Sequence, residues 1–333
     1  MFGDIDPGGR VNIVSTTPRF TPSATATLTD GSFDTRRAEM DVTGPLSATL
    51  AARIVVATED SDGWRDFVPL RRRVVAPSLA WAPRDGVRLT YIGEITRFDA
   101  PFDRGIPAIG GDADALLRTR FFDEPADGTT RFRNASHQLT GEIALTDRIT
   151  LAGGIARRTG SLRGFLSDQS RLVGGDTLWR QRRARDYTVE DVSARLQLMG
   201  GVTPRLTLSG GVRFDAYRQR IRNNRTGAVG LTIDEPVNVR LGGRYALDDR
   251  FALHANWGES FLLNSGIGRD GQGFAPERGK GYEIGMTAAL PGLDIAVTGF
   301  DIAVAGFDIA KRDILTASGL VLPDYIKAKA AVE

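Results

Sequence analysis

The residue types that most often carry out chemistry are scarce and scattered in this sequence. The 333-residue chain has no cysteine and two histidines, His137 and His254. This composition excludes thiolate catalysis, disulfides and Cys-based metal sites, and it argues against a multi-histidine metal site. Gly-Glu-Ser at 258–260 lacks the second glycine of a Gly-x-Ser-x-Gly nucleophile elbow. We therefore predict that the chain is not an enzyme and has no catalytic residue.

Two further polar groups have simpler explanations than metal binding or catalysis. Asp103, Asp112 and Asp114 lie close together, but they lack the ligand spacing of an EF-hand loop. We interpret them as a solvated loop and predict no metal site and no cofactor. His254 alternates with Asn256 on the polar side of a predicted strand, where we expect hydrogen bonding rather than catalysis.

The elements that would position these residues are strands, because apolar side chains recur with a period of two. In one such segment, Leu208, Val212 and Phe214 fall on one face, and Arg213 and Asp215 fall on the other. The alternation is clearest at 87–95, 206–217 and 237–247. Each segment therefore has one apolar face and one polar face.

The connections between these segments alternate in length. Short connections lie at 44–45, 83–86, 146–148, 204–205, 248–250 and 291–292. Long polar connections lie at roughly 60–70, 101–128, 166–185, 222–230, 264–279 and from 316 onward. Long strands with short turns at one end and long loops at the other are typical of an outer-membrane β-barrel. A large all-β domain in water is the alternative.

The start of the chain carries the first of five motifs that point to a known family. The segment FGDIDPGGRVNIVSTTP, Phe2 to Pro18, resembles the end of the plug domain of TonB-dependent siderophore receptors. The other motifs follow in the family's order: GSFDTRRAEMDVTGPL (31–46), VAPSLAWAPRDGVRLTY (75–91), FDRGIPAIGG (102–111) and FAPERGKGYEIGM (274–286). The match covers most of the chain.

The resemblance implies a fold and a division of the chain. The fold is all-β, an antiparallel up-and-down transmembrane β-barrel, incomplete, with about 12–14 strands where the family has 22. Residues 1–19 would be the end of the plug domain, and residues 20–333 a partial barrel. The first ten residues lack the pattern of a signal peptide, yet the resemblance places the protein in the bacterial outer membrane.

The resemblance also implies a function, which is uptake of a ferric siderophore powered by the TonB complex. The partners would be the ferric siderophore and outer-membrane lipid, with no nucleic acid. We expect the segment that contacts TonB to be absent, and we expect the chain to be inactive alone. A small self-closing passive pore and a soluble all-β protein are the alternatives.

Candidate site residues follow from the loops that the resemblance places outside the cell. We predict ligand contacts from aromatic and basic side chains of these loops: Phe98, Phe102, Arg104, Phe121, Phe122 and Trp179. Arginines of the polar face are predicted to lack partners once most of a plug is missing: Arg53, Arg88, Arg213, Arg240 and Arg244. Aromatic residues of the apolar face fit interfacial girdles, with ordinary packing on that face as the alternative: Trp81, Tyr91, Tyr245, Phe251, Trp257 and Tyr282. The basic run RQRRAR, 180–185, is interpreted as flanking an outer loop that meets anionic lipid or ligand.

Overall fold

The structure is a computed structural model that describes most of the chain. The described residues are 15–103, 105–106, 112, 114–173, 177–224, 226–264, 274–290, 300–312, 315–317 and 325–327. At 166–173, 177–185, 288–290 and from 300 onward the description covers the backbone. The predicted turn at 291–292 and most of the predicted plug segment, 1–14, lie outside these residues.

Long antiparallel strands make up most of the described chain. They are β1 (Ser23–Gly31), β2 (Thr35–Pro45), β3 (Leu50–Ser61), β4 (Leu70–Arg84), β5 (Val87–Ala100), β6 (Thr130–Thr146), β7 (Ile149–Val173), β8 (Thr177–Gly201), β9 (Leu206–Asn223), β10 (Val229–Asp234), β11 (Val237–Ala246), β12 (Phe251–Leu262), β13 (Glu277–Leu290) and β14 (Phe300–Arg312). Two short strands, β15 (Leu315–Ala317) and β16 (Tyr325–Lys327), pair with each other. A single 3₁₀ turn, Pro125–Asp127, interrupts the longest described loop.

The large sheet follows the order of the chain from β1 to β14, with β10 beside β9. β10 and β11 pair with β9 in one continuous register, because Asp234 lies opposite Tyr217 and Val237 opposite Phe214. They therefore act as one strand interrupted at Glu235 and Pro236, which leaves 13 strands in the sheet path. In the described part of the chain, β1 and β14 are the two unpaired edges.

This architecture confirms the predicted fold class, an unclosed up-and-down sheet of 13 strands within the expected 12–14. Among the described residues, the helix content includes nothing long and apolar enough to cross a membrane.

The two faces of the sheet differ as the alternation predicts. Leu208, Val212 and Phe214 on β9 have 47%, 41% and 41% of their surface exposed, whereas Arg213 and Asp215, on either side of Phe214, are buried. We call the face of Leu208 and its register partners the apolar face, and the opposite face the polar face. The predicted girdle residues all lie on the apolar face by register: Trp81, Tyr91, Tyr245, Phe251, Trp257 and Tyr282.

Most of the short turns share one pattern of side-chain-to-backbone hydrogen bonds. The Ser47, Thr146, Thr203 and Asp248 side-chain oxygens each accept hydrogen bonds from the backbone N–H groups two and three residues later, at 2.7–3.2 Å. In each turn an apolar residue precedes this oxygen and another apolar residue follows three positions after it. Such side-chain-to-backbone bonds favour turns over continued strands, so the local sequence is enough to end these strands.

The turn at Asp248 carries a charge as well as this geometry. Its carboxylate accepts N–H bonds from Arg250, at 2.7 Å, and Phe251, at 2.8 Å. These bonds favour the ionised form and hold the pKa of Asp248 below its usual value. The turn between β4 and β5 is different, because Gly86 there has a φ of 72° that favours glycine.

The predicted alternation of turn lengths was wrong at two places. The segment 166–185, predicted as a long loop, is mostly strand, since β7 runs to Val173 and β8 begins at Thr177. Its charged sequence suggested a loop, but backbone pairing between β7 and β8 continues through it. At the long-loop end, the β1–β2 connection is also short, at residues 32–34.

Candidate ligand-binding site

The polar face near the long loops carries a linked group of charged side chains on β2, β3 and β4. The Arg37 Nη1 atom lies 2.8 Å from Glu59 Oε2, and Arg37 also bonds to Glu39. Glu59 Oε2 is 4.0 Å from Arg72 Nη1 on the next strand. One carboxylate therefore holds two arginines from neighbouring strands in place.

Phe98, a predicted ligand contact, lies beside this charged group. Its ring packs against Phe132 on β6 with centroids 5.7 Å apart and planes at 57°. The Arg72 guanidinium lies 5.5 Å from the Phe98 ring centroid, within cation–π range. Phe98, Phe132 and Arg72 thus form an aromatic and cationic surface, which we call the Phe98 cluster.

Two long loops pack together above the strands. The Arg65 Nη1 atom in loop 62–69 lies 3.0 Å from Asp103 Oδ1 in loop 101–129, with 10% and 20% of the side chains exposed. The backbone N–H of Asp66 donates to the Thr119 carbonyl at 2.8 Å. The Arg65 guanidinium also lies 4.8 Å from the Trp64 ring centroid. These contacts connect loops that are separated by more than 30 residues in sequence.

The other predicted contacts are distributed around these loops. Phe102, Phe121 and Phe122 are half-buried in loop 101–129, and the Arg120 guanidinium lies 5.3 Å from the Phe122 ring centroid. Arg104 lies outside the described residues. Trp179 lies in β8, and its side chain is outside the description. Predicted contacts Phe98, Phe102, Phe121 and Phe122 therefore occupy one end of the sheet, through one strand and one loop.

A second polar-face group on β8 to β13 was missed by the sequence reasoning. The Arg213 Nε atom lies 2.9 and 2.8 Å from the two Asp215 oxygens, and both side chains are buried. Gln219 Nε2 donates to Tyr187 Oη at 2.8 Å. A signal was available, because arginine and aspartate two residues apart on a strand share a face and can pair.

The ends of β12 and β13 nearest the long loops also pack onto β9 and β10. The rings of Tyr217 and Phe261 stack with centroids 5.9 Å apart and planes at 9°. Arg278 Nη2 lies 2.7 Å from Asp234 Oδ2. These contacts bury Tyr217 and Phe261 where the interruption between β10 and β11 leaves the ends of β12 and β13 beside β9 and β10.

The prediction of unpaired arginines on the polar face was wrong for three of the five. Arg53 bonds to Asp41 on the neighbouring strand, and Arg213 pairs with Asp215. Arg88 Nη2 donates weakly to Thr17 Oγ1 at 3.5 Å. The acids are supplied by the sheet itself, since Asp41 on β2 and Arg53 on β3 lie diagonally opposite each other on the same face.

The histidines and acidic loop residues have ordinary partners. His254 Nε2 lies 3.2 Å from Glu283 Oε1 on the polar face, and His137 Nδ1 bonds to Tyr91 Oη at 2.9 Å. Asp103 pairs with Arg65 and Asp114 with Arg118. Within the described residues, no group of three or more His, Cys, Asp or Glu side chains is placed to hold a metal ion.

The geometry therefore describes a membrane-type sheet with an aromatic and charged polar face beneath long loops. The family model for the TonB-dependent receptor-like β-barrel matches residues 6–326. The chain belongs to the TonB-dependent receptor family. This family consists of outer-membrane transport receptors rather than enzymes, and the suspected family is confirmed.

The relatives and solved structures agree with this membership. The chain is 28% identical to the metal-pseudopaline receptor CntO of Pseudomonas aeruginosa, over 95% of this chain and 56% of that protein. The ferric-catecholate import receptor Fiu of E. coli K12, in its closed form, has a TM-score of 0.66 and 17% identity, over 98% of this chain and 63% of that one. The siderophore receptor PiuA of Acinetobacter baumannii has a TM-score of 0.61 and 15% identity, over 94% of this chain and 60% of that one. The chain spans about half the length of the curated relative CntO.

Proposed function

We propose that this chain forms part of the wall of a bacterial outer-membrane receptor that takes up a ferric siderophore. The Phe98 cluster carries the proposal, because it places aromatic rings and a guanidinium together on the polar face at the long-loop end. Siderophore complexes present carboxylate, catecholate or hydroxamate oxygens around iron, and guanidinium groups and aromatic rings can contact such ligands. Phe102, Arg104, Phe121, Phe122 and Trp179 would extend this contact surface.

The names of the similar proteins support this substrate class. CntO is a metal-pseudopaline receptor, Fiu a ferric-catecholate import receptor and PiuA a siderophore receptor. No covalent step is required, since binding outside the cell and release inside are changes of contact alone. TonB would supply the energy by rearranging a plug.

The start of the described chain supports the proposed division at residue 19. Pro18 is buried and Thr17 contacts Arg88 on the polar face, which is the face that a plug would occupy. We place residues 1–19 at the end of the plug and residues 20–333 in the barrel wall.

The unpaired edges of the sheet limit what the chain could transport by itself. Backbone groups of a transmembrane sheet must all be paired, and β1 and β14 are unpaired on one side in the described sheet. The chain by itself would therefore not transport, because such a sheet leaves no sealed path across the membrane.

Binding can be tested with the full chain in detergent and with ferrioxamine B, ferrichrome and a ferric tris-catecholate as probes. We expect quenching of tryptophan fluorescence with at least one probe. Phe98→Ala should weaken that binding about 10-fold, in the range of a buried interface aromatic. Phe251→Leu, which removes an aromatic ring from the apolar face, should leave it unchanged. Failure of all three probes to bind, or equal binding by Phe98→Ala, would overturn the proposal.

A further inference from the structure

Three arginines lie side by side on the apolar face at the long-loop end. Arg73 on β4 is directly opposite Arg97 on β5, and Arg97 is directly opposite Arg133 on β6. All three are exposed. Since neighbouring strands are 4.7–4.9 Å apart, the three guanidinium stems span about 10 Å. We call these residues the arginine row.

The arginine row differs from the next register positions of β4 and β5 on the same face. Two residues farther from the short turns, charges alternate in sign from β3 to β6: Arg71 lies opposite Asp60 and Asp99, and Asp99 lies opposite Arg131. On the next strand, Arg163 lies opposite Arg131 and extends the positive charge. Like charges directly opposite each other destabilise a sheet. The row therefore costs the isolated protein stability unless an anion neutralises it.

The chain supplies little neutralising charge of its own. Arg73 Nη2 is 3.9 Å from Asp60 Oδ2, and both side chains are largely exposed. Among the described residues, Arg97 and Arg133 form no salt bridge within 4.0 Å. The row is bordered by Thr58 and Ser161, which are uncharged.

The row also lies where the apolar band ends. Two residues nearer to the short turns, the positions on this face hold Val75, Ile95 and Ala135. In a bilayer this boundary is the level of lipid headgroups rather than of the hydrocarbon core. Guanidinium groups bind phosphate through paired N–H donors, and basic residues at this depth are attracted to anionic lipid.

We propose that the arginine row is a docking site for a phosphorylated lipid headgroup in the membrane leaflet on the long-loop side. The site lies on the opposite face of the sheet from the Phe98 cluster, so it is independent of siderophore binding. A bound phosphate would remove the repulsion within the row and fix the depth of β4, β5 and β6 in the membrane.

The proposal can be tested with the full chain in dodecyl maltoside micelles that contain phosphatidic acid or phosphatidylcholine at equal mole fraction. We expect tighter binding of phosphatidic acid, weakened by salt. The double variant Arg97→Gln/Arg133→Gln should bind phosphatidic acid about 30-fold more weakly, which corresponds to about 2 kcal/mol. The control Arg84→Gln/Arg148→Gln removes the same charge near the short turns and should bind as the parent does.

A second variant keeps the proposal testable if the double variant folds poorly. Ser161→Asp places a carboxylate opposite Arg133, so it should raise the melting temperature in neutral detergent and yet weaken phosphatidic acid binding. Equal affinity for the two lipids, equal binding by Arg97→Gln/Arg133→Gln, or unchanged binding by Ser161→Asp would overturn the proposal. Inorganic phosphate that competes at the same concentration as the lipid would also overturn it, because the site would then recognise a free anion.

Discussion

The two faces of β9 differ sharply in which side chains they bury. On one face Val212 and Phe214 are each 41% exposed, and on the other Asp215 is fully buried and Arg213 is 7% exposed. A protein folded in water would reverse this arrangement, because it gains stability by burying apolar side chains. Lipid hydrocarbon would accommodate this apolar face, in agreement with a family of outer-membrane receptors.

The two faces also obtain their stability from different contacts. Charges on the polar face are balanced by neighbours on the same sheet, as Arg53 is by Asp41 and Arg213 by Asp215. The apolar face of the described sheet has ion pairs such as Arg157 with Glu190 toward the long loops, whereas the stretch around Val212 and Phe214 consists of apolar side chains that would depend on the surrounding membrane. The faces should therefore respond differently to the same kind of substitution.

The largest loss of folding stability is expected from a substitution on the polar face. Asp215→Ala removes the carboxylate that pairs with the buried Arg213, which should lower the free energy of unfolding by about 3–5 kcal/mol. Urea unfolding in detergent micelles would measure it. The double variant Arg213→Met/Asp215→Leu removes both charges and should recover most of the loss. A loss below about 1 kcal/mol for the single variant, as for a surface pair, would contradict this prediction.

A somewhat smaller effect is expected on the apolar face. Val212→Arg places a charge in the hydrocarbon and should cost about 2–4 kcal/mol when folding into phospholipid bilayers is measured. Val212→Leu keeps the face apolar and serves as the control. If the residue instead faced water, arginine at this exposed position would change stability little, so a neutral result would favour the alternative of an all-β protein in water.

The smallest change in stability should come from Asp248, which lies in the turn between β11 and β12 and on neither face of the sheet. Because the pKa of its carboxylate is held below the usual value, its stabilising contribution is present above about pH 4 and is lost as the pH falls through the lower folded-state value. Asp248→Thr keeps the two N–H acceptor positions, as at Thr146 and Thr203, but does not titrate. The parent should therefore lose more stability than Asp248→Thr when unfolding is compared at neutral and acidic pH. Parallel pH profiles would contradict this.

Local sequence was sufficient where structure depends on neighbours along the chain. The faces of Leu208 to Asp215 follow from strand periodicity alone, and the turns at Thr146, Thr203 and Asp248 follow from one polar oxygen between two apolar residues. The same local reasoning was wrong for 166–185. Its polar sequence is compatible with a loop or a long hairpin, and only pairing between β7 and β8 distinguishes the two.

The sequence by itself determined the strand period, the two unlike faces, most short turns and the family, because each of these is recorded in residues close together in the chain. Tertiary structure alone decided which charges meet. Arg65 and Asp103 are 38 residues apart, and the row of Arg73, Arg97 and Arg133 exists only because the register of β4, β5 and β6 aligns them. Register is a property of paired strands, so contacts across the sheet cannot be read from any one strand.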